Sequence, residues 1–166
     1  MIRKTSNEIS RRCFLAAGGA TFVAAWACPG RVFAQEDALV QGGYKEAART
    51  KLLVQPLRRN VTALLGTGGN IAVLSGADGK LLVDAEIVTA RSHVADALAS
   101  INQDPVKQLI NTHWHWDHTG GNAWLHEAGA SILAQENTRK HISVDWRVED
   151  WHHTFPAQPA GALPST

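Results

Sequence analysis

Residues 111–122 read Asn-Thr-His-Trp-His-Trp-Asp-His-Thr-Gly-Gly-Asn, which places three imidazoles and a carboxylate at His113, His115, Asp117 and His118. In extended backbone, residues two apart point to the same side, so His113 and His115 can converge on one metal ion. After a bend, Asp117 and His118 can turn toward a second position beside it. Two ions ~3.5–4 Å apart can share a bridging hydroxide, the attacking group of binuclear metallohydrolases. Imidazole and carboxylate donors without sulfur suit zinc, and also iron or manganese. Ligation requires neutral imidazole, so occupancy should weaken in acid.

These donors need a rigid support. The hydrophobic run Val106–Thr112, rich in Val, Leu and Ile, predicts a strand that ends at the first histidine. Upstream, Val61–Leu65, Ile71–Ser75 and Leu81–Asp84 read as three strands joined by turns at 66–70 and 77–80, where Gly and Asn would supply positive φ angles. Val94, Ala97, Leu98 and Ile101 form the apolar stripe of a helix over Thr89–Ile101, stopped by Asp104-Pro105. Gly121–Ala128 and Glu136–Ser143 read as helices, with a strand at Ser131–Ala134 between them. The segment from Gln35 to Pro56 reads as a polar lead-in with one short strand, Lys51–Gln55, and 156–166 as a Pro-rich loop. The succession predicts an α/β domain with a mixed sheet.

Other suggestive residues have plainer readings. Trp114 and Trp116 alternate with the histidines and are expected to pack beneath their loop. His152-His153 reads as a solvated pair, and His93, His126 and His141 as helix-surface residues. Gly66-Thr67-Gly68-Gly69 joins two strands and opens no helix, so it reads as a hairpin turn rather than a phosphate cradle.

The composition, 45% apolar and 19% charged over 166 residues, is that of a globular chain of about one domain. A formal charge of +1 argues against a nucleic-acid partner. Both cysteines, Cys13 and Cys28, precede residue 35, and all eight histidines follow it, so neither a disulfide framework nor a thiolate metal site is expected in the body. Residues 1–34 carry five Lys or Arg against Glu8 alone. Their apolar stretch from Phe14 to Ala27 falls short of the ~20 residues that span a bilayer, so no stable membrane anchor is expected. Arg11-Arg12 followed by Phe14-Leu15 resembles a twin-arginine export signal, cleaved after Val32-Phe33-Ala34, which implies a periplasmic or secreted protein.

His113-x-His115-x-Asp117-His118, after a hydrophobic strand and before Gly120-Gly121-Asn122, resembles the metallo-β-lactamase superfamily motif. Leu81-Leu82-Val83-Asp84-Ala85 is similar to that family's strand ending in Asp near the site. The resemblance implies the N-terminal half of an αββα sandwich over residues 57–155, with 1–34 a signal peptide, 35–56 the lead-in and 156–166 a loop where a second half would begin. It further implies that His113 and His115 bind a first zinc, and Asp117 and His118 a second. Asp117 would orient the nucleophilic water, and Asp84 and Thr112 would support the ligands. The activity implied is attack by metal-bound hydroxide on an ester, amide, thioester or sulfate-type bond of a small-molecule substrate. The alternative is an inactive, truncated chain that binds metal weakly, with a dimer through its exposed sheet as the route to a stable fold.

Overall fold

The computed structural model describes residues 37–165. The expected signal segment, residues 1–34, lies outside them. The first element is not the expected polar lead-in but a helix, α1 (Asp37–Ala47). Its apolar side is short, with Val40 and Ala47 buried, so little periodicity marks it in the sequence. Gly42 and Gly43 further lower its intrinsic helicity. A Cβ at Gly42 would meet nothing within 4 Å. We expect Gly42→Ala to raise stability by about 0.5–1 kcal/mol, read as a higher urea midpoint at unchanged slope.

Strands β1 (Leu53–Pro56), β2 (Val61–Leu65), β3 (Ile71–Gly76) and β4 (Gly79–Val83) form an antiparallel meander. Helix α2 (Arg91–Ile101) then crosses to β5 (Val106–Asn111), which pairs in parallel with β4. The short helices α3 (Trp116–Thr119) and α4 (Asn122–Glu127) lead to β6 (Ser131–Ala134), parallel to β5. The result is one six-stranded mixed sheet in the order β1-β2-β3-β4-β5-β6, as the succession of elements predicts. Helix α5 (Glu136–Ile142) and a hairpin of β7 (Trp146–Val148) and β8 (His153–Phe155) follow. That hairpin is absent from the sequence reading because its three-residue strands are too short to show alternation. The Pro-rich end is ordered rather than a free loop: Ala162 is buried, and Ser165 bridges to Leu133.

Alternation along the strands sorts the sheet into two faces. Leu64, Ile71, Val73, Leu82, Leu109 and Ile132 turn inward and form the core with Val94 and Leu98 of α2 and Leu125 of α4. Each such side chain contributes roughly 1.5–3 kcal/mol on burial. The opposite face carries Leu53, Leu65, Leu74 and Leu133, all exposed, with Leu81, Val83 and Ile110 half-buried between them. Lys80 points to the buried side, where its Nζ donates to the carbonyls of Asn102 (3.0 Å) and Asp104 just beyond α2. A cation there completes the open carbonyls of the helix end. Burial pulls the Lys80 pKa down, opposed by the charge of Asp104.

The two predicted turns have different physical origins. Gly79 takes φ +116° and supplies the left-handed residue expected of the second. At the first, no residue of 66–70 takes a positive φ. There the glycines answer to a neighbour that comes from elsewhere in the chain.

Candidate metal centre

β5 ends at Asn111, residues 112–114 bend, and His115, with ψ 146°, is the N-cap of α3. The chain thus bends earlier than expected, already at His113, and a turn of helix then carries Asp117 and His118. The His113 ring lies 4.5 Å from that of His115 and 4.2 Å from that of His118, centroid to centroid. His118 Nε2 stands 3.4 Å from Asp117 Oδ2. The structure therefore draws His113, His115, His118 and Asp117 into one cluster.

Behind the cluster stands Asp84, directly after β4, buried and at φ +66°. Its Oδ1 accepts from the Thr112 amide (2.8 Å), and its Oδ2 accepts from the Thr112 hydroxyl (2.8 Å) and from His118 Nδ1 (2.8 Å). The network assigns two tautomers. A carboxylate only accepts, so His118 carries a hydrogen on Nδ1. The Thr112 hydroxyl spends its one hydrogen on Asp84, so His113 Nδ1, 3.0 Å away, must donate to it. With the ring neutral, His113 Nε2 is then free to coordinate. Carboxylate or hydroxyl partners on the far nitrogen are how proteins orient metal-binding imidazoles.

Nε2 of His118 and Oδ2 of Asp117 face each other at 3.4 Å; with the ring neutral these are two electron-pair donors, an arrangement that a cation relieves. The donor set, imidazole and carboxylate without sulfur, suits zinc. Among the described residues, no group of three or more His, Cys, Asp or Glu side chains is arranged to hold an ion as it stands. The donors fit the metal by chemistry and pairing. Burial lowers the His113 pKa, with the neighbouring His118 and His115 adding to the effect and Asp84 and Asp117 opposing it. Its imidazole thus stays neutral, and able to coordinate, further into acid than a free histidine.

Three supports of the cluster were not visible in the sequence. The 66–69 turn presses on the segment that carries the cluster: a Cβ at Gly68 would stand 2.9 Å from the Asp117 Cβ, and one at Gly69 3.1 Å from the His118 ring. The Gly69 amide also donates to the Asp117 carbonyl (3.2 Å). Glu86, fully buried at φ +60°, accepts the Gly68 amide on Oε1 (3.0 Å) and the Ile87 amide on Oε2. Asn111 and Asn122 exchange reciprocal amide bonds (3.0 and 2.9 Å), and Asn111 Nδ2 also reaches the His118 carbonyl (3.1 Å). A run of polar residues after a strand signals none of these pairings, because each partner lies on another element.

Three of the remaining histidines have partners outside the cluster. His93 Nε2 meets the Ala48 carbonyl (3.1 Å), and His126 Nδ1 the Ala130 carbonyl (3.3 Å). His153 packs its ring on Phe155 at 4.5 Å. Trp114 lies edge-on to His115 at 4.5 Å, and Trp116 packs on Tyr44 of α1 at 4.9 Å.

A family model described as the metallo-beta-lactamase superfamily matches residues 64–153. A solved subclass B3 metallo-beta-lactamase with an active-site glutamic acid aligns with TM-score 0.58 at 21% identity, over 71% of this chain and 47% of that one. A subclass B3 enzyme from a soil metagenome library, MEM-A1, gives TM-score 0.58 at 18% identity, over 68% and 45%. BJP-1, a subclass B3 metallo-beta-lactamase of Bradyrhizobium japonicum, gives 0.52 at 26% identity, over 60% and 38%. The chain spans less than half the length of each of these structures.

Proposed function

Because the chain belongs to the metallo-beta-lactamase superfamily, we propose that it is a zinc-dependent metallohydrolase whose metal is held by His113, His115, Asp117 and His118. The observation that carries this reading is the Asp84–Thr112 network, which engages Nδ1 of both His113 and His118 and turns Nε2 of His118 toward Asp117. When bound, zinc supplies Lewis acidity and a nucleophile from water at neutral pH. Asp117 would orient that water through its carboxylate. Asp84 and Thr112 keep the two imidazoles in their coordinating tautomers throughout. The bond attacked is of ester, amide, thioester or sulfate type.

A second reading is favoured by a specific observation: no three donors converge among the described residues. In it, the chain binds one zinc weakly and turns nothing over. Both readings expect zinc binding that His113→Ala with His115→Ala abolishes, measured by competition with a chromogenic chelator. They part on a panel of chromogenic lactam, ester and sulfate substrates. Zinc-dependent turnover lost in Asp117→Ala establishes the hydrolase; zinc binding without turnover establishes the second reading. Absence of zinc binding removes both.

Export through the twin-arginine route is also proposed, on Arg11-Arg12 before Phe14-Leu15. Arg11→Lys with Arg12→Lys should leave the precursor in the cytoplasm, seen by fractionation. Unchanged export would refute the assignment.

A further inference from the structure

One face of the sheet packs against the core with α2 and α4, and the strand register fixes how the opposite face is laid out. A row crosses all six strands there as Gln55, Ala63, Ala72, Val83, Ile110 and Leu133. A second row beside it runs Val61, Leu74, Leu81, Gln108 and Ser131. Leu53 and Leu65 pair on the other side of the first row. No Asp, Glu, Lys or Arg stands at any of these positions. Leu53, Leu74 and Leu133 are 59%, 41% and 42% exposed, on a face where soluble proteins rarely leave more than a few hundred Å² of contiguous apolar surface open.

The face is large enough for a specific interface. With strands ~4.8 Å apart and residues ~3.4 Å along each, six strands of about five residues present roughly 29 × 17 Å, about 500 Å². Two such faces pressed together bury about 1,000 Å² of flat area, the size from which a specific interface begins.

The layout also matches itself. Along the first row the small side chains, Ala63 and Ala72, stand on β2 and β3, and the branched ones, Val83 and Ile110, on β4 and β5. A two-fold axis parallel to the strands and midway between β3 and β4 lays β3 over β4 of a second copy, and β2 over its β5. It sets Ala72 of each copy against Val83 of the other, and Ala63 against Ile110. Leu74 and Leu81, paired within each copy, meet their counterparts at the axis. Sheets packed face to face cross at about 30°, which keeps the pairs nearest the axis opposed. An uncharged face brings no like charges together when identical copies meet.

We propose that this face is the interface of a symmetric homodimer, two copies stacked sheet on sheet with α2 and α4 of each on the outside. The fit of small against branched side chains selects a second copy as the occupant, because each copy carries both halves of it. None of His113, His115, Asp117 and His118 lies in these rows, so the inference stands independently of the metal reading.

The test uses the full chain in sedimentation velocity over a range of concentrations. Dimers should form with a dissociation constant on the order of 10 μM or below. Leu74→Lys and Leu81→Glu each bring charge to the axis, and either alone should weaken association about 100-fold or more. Mixed in equal amounts, the two variants should re-form a dimer containing one of each, since the introduced lysine of one copy then faces the introduced glutamate of the other. In the unsubstituted protein, mixing isotope-labelled with unlabelled chains should give methyl contacts between Ala72 of one copy and Val83 of the other by nuclear Overhauser effect. That readout stands even if the variants fail to fold. A monomer at about 100 μM would overturn the proposal, as would assemblies larger than a pair. So would dimers that survive Leu74→Lys, folded variants that do not pair on mixing, or a dimer without the Ala72–Val83 contact.

Discussion

Asp84→Ala is expected to lower stability by about 3 kcal/mol or more and to weaken zinc binding at least tenfold. The buried carboxylate accepts three hydrogen bonds, from the Thr112 amide, the Thr112 hydroxyl and His118 Nδ1, each at 2.8 Å. Bonds to a charged acceptor contribute about 1.5–3 kcal/mol each, though not additively within one network. Removal leaves the Thr112 donors without their acceptor, and Asp84 holds φ +66°, a conformation that alanine adopts at further cost. Asp84→Asn separates the two effects. It tolerates the left-handed backbone and keeps one accepting oxygen, so most of the fold should persist. Its amide nitrogen cannot accept from His118, so zinc affinity should fall about 10–100-fold. Urea unfolding alongside chelator competition reads both quantities. An Asp84→Asn protein with unchanged zinc affinity would refute the orienting role.

Gly120→Ala should be comparably severe, through sterics rather than charge. A Cβ at this position would stand under 3.0 Å from the Val88 amide nitrogen, the Glu86 carbonyl oxygen and the Ile87 carbonyl carbon. All three are backbone atoms, so no side chain can rotate away. Gly121 is in the same position against the Ala85 carbonyl. The segment 85–88 and the helix carrying Asp117 and His118 must move apart, and the Ala85 amide bond to the His118 carbonyl (2.9 Å) lies directly in that seam. Overpacking of this kind costs typically 1–3 kcal/mol and more where backbone cannot yield. The expected result is a loss of about 3 kcal/mol with zinc binding weakened in parallel. Gly42→Ala is the internal control, since the same substitution in open space should stabilise. A Gly120→Ala protein as stable as the parent would show that the close approach is not required.

The local half of this protein is legible in its sequence. Val, Leu and Ile in Val106–Thr112, the alternation in β2 to β4 and the stripe Val94, Ala97, Leu98 and Ile101 follow from period and propensity, and the structure carries them as strands and a helix in the predicted order. The neighbouring placement of His113, His115, Asp117 and His118 is likewise a matter of spacing, since six residues cannot separate far. Helix α1 and the β7–β8 hairpin were illegible because each is fixed by contacts outside itself. Val40 and Tyr44 dock on distant residues, and Trp146 and Phe155 close over Trp114 and Trp116. The glycines at 66–69 show the difference most directly. Sequence reads them as residues for a left-handed turn, whereas the structure gives them ordinary angles and sets Asp117, His118 and Glu86 where their side chains would have been. Conformational freedom is a property of the residue and can be read from its type. Close approach is a property of two segments and exists only once the fold has brought them together. The same distinction governs the chemistry: donor types and spacing are local, but the tautomers that make His113 and His118 able to coordinate are set by Asp84, 28 residues before Thr112 and 34 before His118.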